Sequence, residues 1–388
     1  MRAFWIVLDS VGIGNAADAS LFGDEGSDTW KSCYDTGNLH VPNMEKLGMY
    51  HIDGMQYGRC KEKPMGCYGR MQEQSMGKDT TIGHWEMTGV ISKKPLPVYP
   101  KGFPKELLDA FTKMTGREVI CNQPYSGTEV IRDYGKEHIE TGKLIVYTSA
   151  DSVFQIAAHE SVVSVETLYD YCQMARKILN GEHAVARVIA RPFSGEYPDF
   201  IRTDRRHDFS LEPPKPTILD QLQETGKTVV GIGKISDIFA GKGISKAIPN
   251  HGNDENMKAA VKVLEEDFEG LCYINLVDFD MIYGHRRDVE GYTQALNQFD
   301  KQLGEFLPKM RSDDILLITA DHGCDPKFKG SDHTRETVPF LCYGDRLQKG
   351  VNLGIRKTYA DIAATLGEWF QVPYDGAGES FAKQTIIY

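Results

Sequence analysis

Long hydrophobic runs are missing from this sequence of 388 residues. No segment approaches the run of about 18 apolar residues that a membrane-spanning helix needs. The apolar stretch near the start ends at Asp9, which is too short for the core of a secretory signal, and no small-residue cleavage site follows it. We therefore expect a cytoplasmic protein that makes no contact with a membrane.

Paired cysteines and positive charge are also lacking. The eight cysteines are scattered, without a Cys-x-x-Cys spacing, which is typical of free thiols in a reducing cytosol and not of a disulfide framework. The formal net charge of −11 argues against nucleic acid and anionic membranes as partners. An anionic substrate would need positive charge concentrated locally, by metal ions or by a cluster of arginines and lysines.

The remaining composition is that of a globular protein. Hydrophobic residues make up 41% and charged residues 26% of the chain, with 38 glycines and 17 prolines, which excludes disorder, collagen and coiled coil. At about 150 residues per domain, the length predicts two or three domains. A chain of this size buries a sizeable core without help from disulfides.

Short apolar runs that end at a polar residue or glycine predict strands covered on both faces. Amphipathic patterns between these runs predict helices. The alternation of the two predicts an α/β fold with a largely parallel sheet. The predicted strands are Ala3–Leu8, Leu144–Thr148, Val185–Ala190, Thr228–Ile232, Cys272–Val277 and Ile315–Thr319, and the predicted helices include Val165–Leu179, Thr217–Glu224, Glu255–Glu266 and Tyr292–Met310.

Two proline-rich stretches interrupt this pattern, at residues 94–100 and 212–216. Such clusters end secondary structure and stiffen linkers. We interpret them as the borders of an inserted domain over residues 96–212, carried on a discontinuous core of residues 1–95 and 213–388. The alternative is that both stretches are surface loops.

Two glycine-containing segments are similar to nucleotide-binding loops but do not match them. Gly12 and Gly14 have the spacing of a dinucleotide motif, yet Asp9 stands between them and the strand and would repel a pyrophosphate. Residues 77–79 are not a P-loop, because Asp79 replaces the required Ser or Thr. Neither segment predicts a nucleotide site.

Residues typical of metal ligands follow three of the predicted strands. The carboxyl ends of the strands in an open parallel sheet meet at one edge, where ligands bind. We therefore expect three carboxylates and three imidazoles to lie together there, about what two divalent metal ions need. Mixed oxygen and nitrogen ligands suit Mn²⁺, Zn²⁺ or Mg²⁺, and the carboxylate content favours Mn²⁺. The six residues are Asp9, Asp280, His285, Asp321, His322 and His333.

Each of these residues alone has an ordinary structural explanation. A single Asp after a strand is most often a helix cap or a turn residue, and a single His is usually a surface or satisfied core residue. The prediction depends on their conjunction. The role of Asp278 is left open. It shares strand parity with Asp280 and could bind a metal ion, but it could equally contact the metal ligands without binding the ion itself.

A nucleophile is the next requirement, since a two-metal site often clamps the attacking and leaving oxygens of a phosphoryl or sulfuryl transfer. Residues 77–86 are typical of a loop that enters a helix, with Thr80 near the N-cap. Free N–H groups and the helix dipole favour an anion there. A Thr80 hydroxyl deprotonated by a metal could carry a phosphoryl group. The alternative is a plain threonine cap.

Taken together, these segments resemble the phosphopentomutase family of the alkaline phosphatase superfamily. The motifs that carry the resemblance are residues 7–14 (VLDSVGIG), 77–80 (GKDT), 280–287 (DMIYGHRR) and 319–323 (TADHG). They are specific in combination, and the similarity runs over essentially the whole chain. It implies an alkaline-phosphatase-like α/β core, with a mostly parallel sheet flanked by helices, and an inserted smaller α/β cap domain.

The resemblance also implies a reaction and its cofactors. The family interconverts ribose 1-phosphate and ribose 5-phosphate, and the 2-deoxyribose pair, by intermolecular phosphoryl transfer through phosphorylated Thr80 and a sugar bisphosphate. Glucose 1,6-bisphosphate or ribose 1,5-bisphosphate would be the activator, and two Mn²⁺ ions would bind per chain. The implied ligands are Asp280, His285 and His333 for one ion, and Asp9, Asp321 and His322 with the Thr80 oxygen for the other.

The implied cap would supply the site for the distal phosphate of the sugar. Its candidates are Arg187, Arg191 and Arg202, and Lys234 would face them from the core. Arginine suits forked phosphate contacts. The alternative for each is a solvated surface charge.

The segment after the strand 144–148 resembles the part of the family that contacts ribose. Asp151 is the candidate acceptor for a sugar hydroxyl, with Ser149 and Val153 shaping the pocket. Cys324, next to the 319–323 motif, is a packing residue or a soft ligand that traps thiophilic metals.

Three other functions compete with the mutase prediction. A related metal-dependent phosphatase or a cofactor-independent phosphoglycerate mutase would share the metal core, although the latter typically uses serine as its nucleophile. A metal-dependent binding protein without activity is a third possibility. We expect small-molecule pentose phosphates as ligands and a monomeric protein.

Overall fold

A computed structural model describes residues 1–55, 57–58, 62–149 and 151–387. The chain forms two compact units, Met1–Pro95 with Pro213–Tyr388, and Leu96–Glu212. We call them the core unit and the inserted unit. Both changes of unit fall within proline-rich stretches of the sequence.

Strands and helices alternate through both units. Among the described residues, no helix is long and apolar enough to cross a membrane. The strands are β1 (Arg2–Leu8), β2 (Cys67–Met71), β3 (Val119–Pro124), β4 (Leu144–Thr148), β5 (Val153–His159), β6 (Arg187–Ser194), β7 (Ile201–Arg202), β8 (His207–Ser210), β9 (Thr228–Ile232), β10 (Lys246–Ile248), β11 (Gly270–Leu276), β12 (Asp314–Thr319), β13 (Val338–Tyr343) and β14 (Asn352–Arg356). The α-helices are α1 (Thr29–Tyr34), α2 (Pro42–Leu47), α3 (Thr80–Met87), α4 (Lys105–Thr115), α5 (Glu129–Thr141), α6 (Val165–Ile178), α7 (Ile218–Glu224), α8 (Ile235–Ile238), α9 (Asn253–Val263), α10 (Val289–Phe306), α11 (Asp361–Phe370) and α12 (Ala382–Thr385).

The core unit contains an eight-stranded sheet in the order β10-β9-β11-β1-β12-β13-β2-β14. The strands from β10 to β12 in this order are parallel, and β13 runs antiparallel to both of its neighbours. The predicted α/β class with a mostly parallel sheet is confirmed. Sequence reasoning did not find β2 (CYGRM) and β14 (NLGIR), because neither contains an apolar run.

The neighbouring strands β11, β1 and β12 form the centre of this sheet. Every residue of the three is buried, which explains why apolar runs were enough to predict them. Leu8 of β1 pairs with Leu276 of β11, and Val7 pairs with Thr319 of β12. The carboxyl ends of the three strands therefore lie side by side.

The inserted unit has its own sheet, in the order β3-β4-β5-β6-β7, with β8 also paired to β6. One face packs against α4 and α6 in a core that includes Phe111, Phe154 and Leu168. The other face packs against α5 through Val130 and Ile131. Each unit thus buries a hydrophobic core of its own.

The strand β6 differs from its prediction, Val185–Ala190. It begins at Arg187 and continues through Pro192 to Ser194. A proline removes one hydrogen-bond donor from a sheet, but β8 pairs with the first half of β6 and β7 with its last two residues. Pro192 falls between these two pairings, so the strand tolerates it.

The helix α10 was predicted over Tyr292–Met310. It begins three residues before Tyr292 and ends four residues before Met310. The Asp288 carboxylate accepts a hydrogen bond of 2.9 Å from the N–H of Gly291 and caps the helix. Pro308 then lies in the short 3₁₀ turn that follows. A cap and a proline, rather than hydrophobic periodicity, set both ends.

A buried ion pair ties β1 to β12. Arg2 donates to Asp314 through Nε (2.8 Å) and Nη2 (2.7 Å), and both side chains are buried. We expect Arg2→Leu to lower the free energy of unfolding by about 3–5 kcal/mol, because the Asp314 carboxylate would stay buried without a partner. The double variant Arg2→Leu/Asp314→Leu should recover much of this loss. Urea denaturation measures both, and a double variant as unstable as the single one would contradict the explanation.

A buried histidine makes the stability of the inserted unit depend on pH. His138 Nδ1–H donates to the Lys143 carbonyl (2.5 Å), and its Nε2 accepts from the N–H of His159 (2.9 Å). Burial lowers the pKa of His138 from its ordinary value of 6.5. As the pH falls below that value, the unfolded chain takes up a proton that the folded unit resists, so stability falls. His138→Gln should therefore show a smaller drop in thermal midpoint between about pH 8 and pH 5, measured by circular dichroism. An unchanged pH dependence would refute this role.

Candidate active site

One group of the predicted residues meets where β1 and β12 end side by side. Asp9 follows β1 directly, and Asp321 and His322 come just after β12. All three are buried, and each offers a ligand atom within 4.8 Å of those of the other two. His322 Nε2 lies 3.3 Å from Asp9 Oδ1 and 3.5 Å from Asp321 Oδ2. We call Asp9, Asp321 and His322 the first cluster.

A second group forms next to it. Asp280 lies in the π-helical turn Phe279–Gly284 that follows β11, and His285 comes directly after this turn. His333 Nε2 lies 3.2 Å from Asp280 Oδ1, and His285 Nε2 lies 3.4 Å from Asp280 Oδ2. Asp280, His285 and His333 are the second cluster. The rings of His322 and His333 have centroids 4.1 Å apart, so the two clusters are contiguous.

The predicted nucleophile lies at the edge of the first cluster. Thr80 Oγ1 is 3.4 Å from Asp9 Oδ1 and 3.3 Å from His322 Nε2. Thr80 is the first residue of α3, and Asp79 is its N-cap, since the Asp79 carboxylate accepts from the N–H of Ile82 (3.1 Å). The Thr80 hydroxyl is therefore not the helix cap.

A glycine allows this close approach of α3. A Cβ atom on Gly83 would lie 2.3 Å from the Asp321 carbonyl oxygen, so any side chain at this position would push the helix away from the first cluster. The N–H of Ser10 also donates to Asp321 Oδ1 (3.0 Å). Ser10 adopts a left-handed backbone with φ of 76°, which is uncommon for a residue other than glycine and is found at functional sites.

Two further residues, neither of them predicted from the sequence, hold the first cluster. Asn275 Nδ2 donates to Asp9 Oδ2 (2.9 Å). His84 Nδ1 lies 3.2 Å from Asp321 Oδ2 and donates to the Thr80 carbonyl (2.8 Å). Asn275 could have been found, because it is a polar residue inside the otherwise apolar strand β11. His84 carries no such local signal.

The polar atoms of the clusters fit divalent cations. Asp280 Oδ1 and Asp321 Oδ2 are buried, and each faces an imidazole nitrogen at 3.2 Å, of His333 and His84, without a well-aligned hydrogen bond among the described residues. His285 Nδ1 faces the Ser331 carbonyl (2.7 Å) and His322 Nδ1 faces the Gly323 carbonyl (3.1 Å). A carbonyl only accepts, so both Nδ1 atoms carry hydrogen and each neutral ring presents the lone pair of Nε2. Metal-ligating histidines are held in this way.

Charge in the two clusters is strongly coupled. Burial raises the pKa of Asp9, and the neighbouring Asp321 carboxylate raises it further. Contact with the Asp280 carboxylate raises the pKa of His285 to about 9. Burial lowers the pKa of His322, but Asp321 and Asp9 outweigh this effect and raise it well above its ordinary value. Without a divalent cation, protons on the imidazoles thus balance the carboxylates.

Comparison with known proteins identifies the family. The model of the Metalloenzyme superfamily matches residues 1–374. A phosphopentomutase from Lachnoclostridium phytofermentans is 58% identical over 386 residues, which cover 99% of both chains. A phosphopentomutase from Caldanaerobacter subterraneus subsp. tengcongensis is 52% identical over 383 residues, 99% of this chain and 98% of that one. The chain belongs to the phosphopentomutase family.

This membership confirms the resemblance predicted from the motifs and the alkaline-phosphatase-like fold class. The protein is an enzyme of the isomerase class, a phosphotransferase mutase. The solved structure of the PH0037 protein from Pyrococcus horikoshii has a TM-score of 0.51 at 14% identity and covers 97% of this chain and 99% of its own. At that identity it supports the fold alone.

The contact residues predicted from the phosphopentomutase resemblance lie mostly in the inserted unit. Ser149 follows β4, and its Oγ accepts from the N–H of Asp151 (3.2 Å). Arg187 Nη2 lies 3.9 Å from Asp151 Oδ2, so the structure brings these two together. Val153 is the buried first residue of β5.

The other predicted cations are more dispersed. Arg191 donates to Gln155 Oε1 through Nε (3.1 Å) and Nη2 (2.9 Å). Arg202 lies in the exposed strand β7. Lys234 belongs to the core unit, where its Nζ is 4.0 Å from Met281 Sδ.

Asp278 does not join the two clusters. Its Oδ2 accepts from the N–H of Asn253 (2.7 Å), and its own N–H donates to Asn253 Oδ1 (3.0 Å). This reciprocal pair lies at the start of α9. Asp278 thus anchors a helix beside the site.

Arg287 fixes the loop that carries His333. Its guanidinium donates to three backbone carbonyls, those of Gly330 (2.6 Å), Asp325 (2.6 Å) and Asp332 (2.9 Å). Ser331, whose carbonyl holds the His285 ring, lies in the same loop. One side chain therefore sets the position of both imidazoles of the second cluster.

We expect Arg287→Ala to weaken divalent cation binding at one of two sites by about 10–100-fold, because ligands lose affinity when their outer support is removed. The first cluster should keep its affinity. Titration with Mn²⁺, followed by electron paramagnetic resonance of the free ion, resolves the two sites. Arg286→Ala, at the exposed neighbouring position, is the matched control. Equal weakening of both sites would indicate general destabilisation instead.

Proposed function

We propose that this protein interconverts ribose 1-phosphate and ribose 5-phosphate, and the corresponding 2-deoxyribose phosphates, with Thr80 as the carrier of the phosphoryl group. The observation that carries the proposal is the Thr80 hydroxyl, which lies 3.4 Å from Asp9 Oδ1 and 3.3 Å from His322 Nε2. Membership of the phosphopentomutase family supports the substrate class. We also propose that the enzyme works in the cytoplasm as a monomer.

We propose Mn²⁺ as the ion in both clusters. The first cluster, together with the Thr80 oxygen, would hold one ion, and the second cluster would hold the other. Carboxylate and imidazole ligands suit this ion, although the metal used in a cell also depends on availability. When bound, the two ions favour ionisation of the attacking hydroxyl and neutralise charge on the transferring phosphoryl group.

The residues of the chain would then act mainly by positioning. The Gly83 contact and the Asp79 cap hold the first turn of α3 so that Thr80 Oγ1 faces the first cluster. His84 holds the Thr80 carbonyl from within the same turn. Fixed donors and charges aimed at a transferring phosphoryl group supply most of the catalysis in such reactions.

The cycle would begin with phosphorylated Thr80. A free hydroxyl of the bound pentose phosphate attacks phosphorus, and the bond between phosphorus and Thr80 Oγ1 breaks. The Thr80 oxygen takes up the proton that the attacking hydroxyl loses, and the sugar becomes a bisphosphate. The other phosphate returns to Thr80 by the reverse reaction and the isomer is released. Glucose 1,6-bisphosphate or ribose 1,5-bisphosphate would phosphorylate an unmodified Thr80 in the same way.

We propose that the inserted unit is the cap domain, which binds the part of the substrate that does not react. Arg187, Arg191 and Arg202 would bind its phosphate, with Lys234 of the core unit. Tyr147 supports this assignment, because its hydroxyl is buried and makes no hydrogen bond within the described residues.

Gly127 adds to this support. A Cβ atom there would lie 3.0 Å from the Tyr147 hydroxyl and 3.2 Å from Arg202 Nη1, so the glycine leaves open space between a donor and a cation. The sugar hydroxyl would be held by Asp151, with Ser149 and Val153 beside it.

The test is an assay of the Mn²⁺-loaded protein with ribose 1-phosphate, with and without glucose 1,6-bisphosphate. Ribose 5-phosphate and free phosphate are measured together. We expect isomerisation that the bisphosphate stimulates, without release of phosphate. Thr80→Ala should abolish it, because alanine has no hydroxyl to carry the phosphoryl group, while Thr80→Ser should retain part of the rate.

Three results would contradict the proposal. Release of phosphate without ribose 5-phosphate would mean a hydrolase on the same clusters. Binding of Mn²⁺ and ribose 1-phosphate without turnover would mean a binding protein. Isomerisation that persists in Thr80→Ala would show that the phosphoryl group takes another route.

A further inference from the structure

The second cluster has a sulfur neighbour that the proposed reaction does not use. Cys324 is fully buried. Its Sγ, a ring nitrogen of His285 and a carboxylate oxygen of Asp280 all lie within 4.8 Å of one another. A thiolate, an imidazole and a carboxylate are a common ligand set for Zn²⁺.

The backbone fixes Cys324 in this position. Its N–H donates to the Ser10 carbonyl (3.1 Å) and lies 3.2 Å from Thr29 Oγ1. A Cβ atom on Gly284 would come within 2.9 Å of the sulfur. The glycine therefore lets the turn that carries Asp280 pack directly against the thiol.

The sulfur makes only weak polar contacts. Its nearest polar neighbours among the described residues are Arg287 Nη1 at 3.8 Å and the Asp332 carbonyl at 3.9 Å. The side chain is thus free to exchange its contacts for a metal ion.

The Asp280 carboxylate points to a ligand independently of the sulfur. The residue is only 8% exposed, and its Oδ1, which faces His333 Nε2 at 3.2 Å, makes no well-aligned hydrogen bond among the described residues. A buried carboxylate is costly unless a cation compensates it.

We propose that a thiophilic divalent ion, Zn²⁺ or Cd²⁺, binds through Asp280, His285 and Cys324, whereas a harder ion such as Mn²⁺ binds Asp280 and His285 with His333. The proposal rests on the metal site of the proposed function. On binding, a bond between the metal and sulfur forms, the S–H bond breaks and the proton leaves to solvent. Soft ligands select such ions over Mn²⁺. The Cys324 thiol would thus allow Zn²⁺ or Cd²⁺ to displace Mn²⁺ from the second cluster.

Two measurements test the proposal, both with two equivalents of metal added to the metal-free protein. In the Zn²⁺-loaded wild type, X-ray absorption should show a sulfur atom at about 2.3 Å from zinc, beside nitrogen and oxygen at about 2.0–2.1 Å. In the Cd²⁺-loaded protein, an ultraviolet charge-transfer band from thiolate to cadmium should appear. Cys324→Ala should lose the band, and Cys172→Ala, which removes a buried thiol of the inserted unit, should keep it.

A zinc spectrum without sulfur would overturn the proposal and needs no variant. A cadmium band that persists in Cys324→Ala, with that variant shown to be folded by circular dichroism, would assign the sulfur to another cysteine and overturn it as well. Isomerase activity of the Mn²⁺-loaded wild type is measured on the same preparation. If that activity is present while sulfur is absent, this inference fails alone. If the activity is absent, the proposed function fails, whatever the sulfur shows.

Discussion

Repulsion among carboxylates gathered in a small buried volume is the constraint on which the core unit depends. Asp9, Asp280 and Asp321 stand at or just beyond the ends of three adjacent strands, and all three are buried. Like charges at such distances do not stay ionised together without compensation. The central strands hold the carboxylates in place because every one of their residues is packed in the core. The imidazoles, and the cations that we propose, compensate the charge.

Arg335 connects this arrangement to the loop before Thr80. It is buried, and it donates to the Gly77 carbonyl (2.5 Å) and to Glu73 Oε2 (2.6 Å). Lys78, two residues before Thr80, pairs with Asp332 at 3.2 Å, next to His333. The loop before Thr80 and the loop that carries His333 are thus joined by two cations. The Asp332 side chain is largely exposed, but Thr80 and the second cluster cannot move apart without breaking the buried Arg335–Glu73 ion pair, which is costly to break.

The sequence predicted those parts of the site whose signals are local. The apolar runs of β1, β11 and β12 stop where ligand-type residues begin, and parallel strands place such ends together. Roles that depend on a distant partner could not be predicted. In the sequence, Arg287 is one arginine of a charged segment and would be expected on the surface. Only the folded chain shows that it contacts three carbonyls of a loop more than thirty residues away. Asp79 and Thr80 are both good capping residues, so composition could not decide which of them caps α3.

Protons and the divalent cations that we propose would compete for the same side chains. The pKa of His285 is raised to about 9 by its contact with Asp280, so at neutral pH the ring carries a proton that a cation must displace. Binding of the proposed cation would therefore release a proton and strengthen as the pH rises toward that value. The hydrogen that would leave is the one on Nε2, because Nδ1–H is bonded to the Ser331 carbonyl. The ring does not need to turn when the proton is exchanged for a cation. The site is organised by its carbonyl contacts before any ion arrives, which preserves the geometry that phosphoryl transfer requires.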